Sequence, residues 1–80
     1  MIFDQVRGIA SDLFSVPADH ITAGSSPHNI ESWDSIQHLN LVLALEETFS
    51  VQLSPAEIEQ MKSIGETAKL IETKLQANLR

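Results

Sequence analysis

The sequence predicts an all-α protein: three main helices and one short helix, with a long loop between the first and second. Three observations predict it. Apolar residues recur at three- and four-residue spacings in three separate stretches. Two Ser-led helix starts follow one another in the second half of the chain. Strand-like alternation is confined to residues 51–53, too short to build a sheet. Eighty residues make one domain, 1–80.

The first helix carries Ile2, Val6, Ile9 and Leu13, with Phe3, Ala10 and Phe14 beside them, a stripe wide enough to meet two neighbours. Pro17 is expected to stop it. Residues 15–33 then read as a loop punctuated by Pro17, Gly24, Ser25, Ser26 and Pro27, in which Ile21 and Ile30 are the expected anchors. Asp34 is a good cap for the second helix, and Gln37 is placed to complete a capping box. That helix runs to about Phe49. Ser54-Pro55-Ala56-Glu57 opens a short third helix, with Ser as cap, Pro at the first position and Glu at the third. Ser63-Ile64-Gly65-Glu66 opens the last one, whose stripe is Ile64, Ala68, Ile71, Leu75 and Leu79. Lys69, Lys74 and Arg80 lie in its C-terminal half, where cations suit the helix dipole.

The second helix has more apolar surface than a core requires. Leu41, Leu45 and Phe49 share one face, flanked by Val42 and His38. Ile36, Leu39 and Leu43 share another, beside Asn40 and Glu47. Either the long loop covers this second stripe, or a partner docks on it within a rim made by Glu46 and Glu47.

Charge and composition remove several function classes. The net charge is −6, and no Lys or Arg occurs between Gly8 and Met61. Nucleic acid is excluded, because phosphate contacts need clustered cations. A basic protein surface is the partner such a chain would attract. There is no cysteine, hence no thiolate nucleophile or Cys-based zinc site of the chain's own. The longest apolar run, residues 41–45, is far below the ~20 a membrane span needs. Asp4 and Arg7 interrupt any signal-peptide core, so a cytoplasmic monomer is expected, and Met1 suggests a free-standing chain. Ser35 and His38 lie on neighbouring turns, but no nucleophile elbow, glycine-rich oxyanion loop or orienting third group accompanies them. His20, His28 and His38 lack metal-ligand spacing, and Asp19, Glu31 and Asp34 do not form a calcium loop. No enzyme activity is expected.

The segment Trp33-Asp34-Ser35-Ile36-Gln37-His38-Leu39, continuing through Asn40 to Leu45-Glu46-Glu47-Thr48-Phe49, resembles the signature of the acyl carrier proteins. An Asp-Ser-Leu-type motif opens an acidic helix that closes on Leu-Glu-Glu-x-Phe, and the order of elements along nearly the whole chain is the family's. The resemblance implies a four-helix acyl-carrier bundle. It implies that Ser35 receives 4′-phosphopantetheine from coenzyme A through a separate phosphopantetheinyl transferase, and that acyl groups ride as thioesters on the arm's thiol. Asp34 matches the family's preceding Asp, with an implied part in capping the helix and placing the transferase's metal. Ile36, Leu39, Asn40, Leu43, Glu46 and Glu47 match the face offered to acyl-loading, ketosynthase or acyltransferase-type enzymes with basic docking patches. A bundle interior of Leu41, Leu45, Phe49, Ile64 and Ile71 would be the place to shelter an acyl chain.

Three positions depart from the pattern. Ser32 stands where fatty-acid carriers commonly have Gly, Trp33 where they have a small residue, and Asn40 where an acid is common. These departures point to a specialised carrier serving a polyketide-like or related pathway. A Gly-Gly-x-Ser peptidyl-carrier motif is absent. The competing reading is an unmodified helical adaptor that docks through the same acidic helix.

Overall fold

The computed structural model describes residues 2–78. Four helices, α1 (Ile2–Phe14), α2 (Ser35–Phe49), α3 (Pro55–Gln60) and α4 (Ile64–Asn78), pack around one core, and no strand occurs among the described residues. Leu79 and Arg80, the last members of the stripe and the cation set assigned to α4, lie outside the described residues.

On α1 the buried line is Val6, Ala10 and Phe14. Ile2, Phe3, Ile9 and Leu13 flank it as partly buried residues. The stripe therefore pivots about the smaller residues, which let α1 approach α2 and α4 together. The helix stops three residues before Pro17. Ser15 takes a left-handed conformation at φ 56°, and the Ser11 hydroxyl donates to the Val16 carbonyl at 2.6 Å. Ser50 ends α2 in the same left-handed way, its N–H donating to the Glu46 carbonyl.

The long loop is ordered by polar contacts that leave no periodic trace. A single turn of 3-10 helix, Ala18–His20, interrupts it. Ile21 and Ile30 are buried, as expected of anchors. The loop also satisfies the start of α4: Ile64 N–H donates to the Ser25 carbonyl and Gly65 N–H to the Ala23 carbonyl, each at 2.9 Å. A Cβ on Gly65 would stand 2.9 Å from that Ala23 oxygen, so only glycine permits this approach. Leu41, Leu45, Ile64 and Ile71 are fully buried at the centre, while Phe49 is only half-buried at its edge.

Short α3 has no buried residue. Its capping box is complete: Ser54 accepts from Glu57 N–H, and Glu57 accepts from Ser54 N–H. Lys74 does not serve the end of α4. Its ammonium reaches across to both carboxylate oxygens of Glu57 at 2.8 Å. That contact, with the capping hydrogen bond from Ser54, holds the Glu57 carboxyl below the usual carboxylate range.

Candidate functional site

Ser35 is the first residue of α2, and its side chain is exposed. The Asp34 carboxylate caps the helix by accepting from Gln37 N–H at 2.8 Å. The reciprocal half of the expected capping box does not form. The Gln37 amide instead donates to the Leu13 carbonyl at 2.7 Å. A long side chain at this position reaches the end of α1, whose last carbonyls have no helical partners. Ser32 does the same from the other side, its hydroxyl donating to the Phe14 carbonyl at 2.7 Å. Residues on both sides of Ser35 are thus fastened to α1.

Trp33 is buried and stacks on Phe14, ring centroids 5.1 Å apart. Its indole N–H donates to His38 Nδ1 at 3.0 Å. His38 Nε2 meets the Ile58 carbonyl of α3 at 3.1 Å. Both imidazole nitrogens are therefore occupied, and Ser35 has no general base in His38. An open groove of about 590 Å³ runs past Ser35, lined also by Pro27, Trp33, His38, Met61 and Lys62. Its position at a helix N-terminus favours a negatively charged substituent on Ser35. Among the described residues no cluster of three His, Asp or Glu is arranged to hold a metal.

The second apolar stripe of α2 is bare. Ile36, Leu39 and Leu43 are 72%, 57% and 62% exposed, so the loop does not cover them. Asn40 and Glu47 are exposed beside them. Asn40 donates to the Gln37 side chain. Glu46 differs from the free rim charge the sequence suggests: it is half-buried, and its carboxylate accepts from Leu53 N–H at 2.9 Å, bracing the link to α3.

A family model described as a phosphopantetheine attachment site matches residues 4–71. The chain belongs to the acyl carrier protein family. The acyl carrier protein of Lactobacillus johnsonii is 31% identical over 72 residues, 90% of either chain. The solution structure of a holo acyl carrier protein from Geobacter metallireducens superposes with a TM-score of 0.85 at 28% identity, over 96% of this chain and 88% of that one. Another holo acyl carrier protein, from Nitrosomonas europaea, gives 0.81 at 30% identity, over 92% and 95%. As an acyl carrier protein, the chain is a carrier and not an enzyme, and its cofactor is covalent 4′-phosphopantetheine. Such carriers work with enzymes that modify them and enzymes that transfer acyl groups.

The sequence placed Asp34, Ser35 and the bare stripe together. It did not reveal the bonds of Ser32 and Gln37 to α1, or the bridge from Trp33 through His38 to α3. The one available signal was the trio of Ser32, Trp33 and His38 itself, polar or aromatic residues around a motif that needs none of them.

Proposed function

We propose that Ser35 is the residue that carries the phosphopantetheine arm. The supporting observation is its exposure at the first position of α2, directly after the Asp34 cap. A phosphodiester there lies at the positive end of the helix dipole, while the helix fixes where the arm begins. The groove between Trp33, His38 and Met61 offers a wall for the arm's first atoms. The arm supplies the thiol that a chain without cysteine lacks, and acyl groups travel on it as thioesters. Asp34 holds the helix start in place for the transferase.

The bare face of Ile36, Leu39 and Leu43, with Asn40 and Glu47, is the docking surface in this reading. Apolar contact area supplies binding, and the exposed Glu47 supplies attraction to basic patches on partner enzymes. Glu46 contributes field from its braced position. The pathway is a specialised one, polyketide-like or related, rather than general fatty-acid synthesis. Ser32 and Trp33, both departures from the common carrier pattern, support this because each is built into the packing around Ser35.

Incubation with coenzyme A, magnesium and a phosphopantetheinyl transferase is expected to raise the intact mass by one arm, and Ser35→Ala is expected to abolish the gain. A mass gain that survives Ser35→Ala would move the attachment site elsewhere. No gain in the native chain would favour the adaptor.

A further inference from the structure

The groove beside Ser35 has one wall on α2 and another beyond α3, and a single side chain joins them. His38 sits one turn into α2, with Trp33 on the loop side and Ile58 on the α3 side. An indole N–H can only donate, so Nδ1 must accept and the proton must stand on Nε2. That proton is the one the Ile58 carbonyl receives. One neutral tautomer therefore satisfies both contacts, and the two rings lie at 21° to each other with centroids 5.9 Å apart. We propose that Trp33 and His38 are positioning residues for the attachment groove: the bridge from the indole N–H through the imidazole to the Ile58 carbonyl holds α3 against the start of α2 and so fixes the wall along which a substituent on Ser35 lies. This rests on Ser35 as the attachment residue.

The bridge carries a pH dependence by construction. Imidazolium has N–H groups at both positions. Its Nδ1–H would face the Trp33 N–H across 3.0 Å, and the contact would turn repulsive. Protonation of the imidazole therefore releases the indole. The other ionisable groups that line the groove are Asp34 at the helix cap, His28 from the loop and Lys62 from the link after α3, and Glu59 is exposed next to Ile58 on α3. On α3 itself Glu57 is engaged by Lys74 and Ser54. His28 is thus the one other imidazole that lines the groove.

Trp33 is the only tryptophan, so its indole N–H resonance and its emission report this site alone. In the unmodified chain, lowering the pH from 8 to 5 is expected to speed indole N–H exchange, relative to free indole at each pH, by roughly three- to tenfold, the worth of one hydrogen bond. His38→Asn puts an amide oxygen where Nδ1 accepts. It is expected to keep the indole protected at every pH, while the Met61 amide, whose partner is Ile58, loses protection. His38→Gln places its amide nitrogen where Nε2 donates and is expected to do the reverse, and His28→Gln is expected to leave the pH step intact. A step that persists in His38→Asn, or disappears in His28→Gln, would overturn the proposal. The same measurements after transferase treatment separate the two readings. Attachment is scored by mass, and the bridge by an arm-dependent shift in Trp33 emission that both His38 variants alter. A chain that gains its arm at Ser35 but shows the same emission shift with and without His38 keeps its attachment site and loses the bridge.

Discussion

The groove lies between α2 and the link that follows α3, and the two helices are held by different balances of force. The fifteen residues of α2 bury Leu41, Val42 and Leu45, and its position is set by apolar packing. The six residues of α3 bury none. Ile58 is its one side chain packed, partly buried, against the core, and the rest of its hold is polar: the Glu57–Lys74 ion pair and the carbonyl of Ile58 on His38. Burial is insensitive to pH and salt over ordinary ranges, whereas polar clasps are not. The chain thus carries a fixed rod at the proposed attachment residue and a more polar clasp beside it.

Leu45→Ala strikes the core face of α2. Leu45 is fully buried, and its truncation is expected to cost about 2–5 kcal/mol, read as a fall in the denaturant midpoint. A cost below 1 kcal/mol would mean that α2 is not held by its core face. Lys74→Met removes a part-exposed ion pair worth about 0.2–1 kcal/mol. The loss is expected to appear as faster amide exchange in α3 with α2 unchanged. The Glu57 carboxyl is depressed in the folded state, so the pair's contribution is present above the ordinary carboxylate value, about 4.3, and fades as the pH falls through the lower folded value. The native chain is therefore expected to lose stability more steeply below about pH 4 than Lys74→Met does. Parallel acid limbs would remove Glu57 from the account. The smallest effect sharpens the contrast within α2 itself. Leu43→Ala, on the bare face, is expected to cost under about 0.5 kcal/mol. A loss approaching that of Leu45→Ala would mean that the outer stripe is covered after all.

The helices were legible because their signals are local. The Ser54 box and the Pro55 start of α3 sit in four consecutive residues, and the two stripes of α2 show in its spacing. The Asp34-Ser35 start of α2 was legible for the same reason. What stayed hidden was long-range and polar. Gln37 reads as half of a capping box from its neighbours, yet it lies close enough to the end of α1 to serve Leu13, 24 positions away. Lys74 reads as a dipole partner until α3 brings Glu57 to it, and Glu46 reads as a rim charge until the chain turns back to present Leu53 N–H. Periodicity locates an apolar face, but it cannot name the partner of a side chain whose hydrogen bond closes a loop of twenty residues.

The two hydrogen bonds from Ser32 and Gln37 onto the carbonyl end of α1 bracket Ser35 like guy-lines on a mast. They tie the root of any appended chain to a second helix, so its heading is set by the bundle as a whole and not by the first turn of α2 alone. A flexible cargo line mounted this way sweeps a volume whose axis stays constant from one encounter to the next. In the docking mode proposed above, an enzyme on the outer stripe of α2 would therefore receive its substrate from a known direction, even though the line itself has no fixed shape.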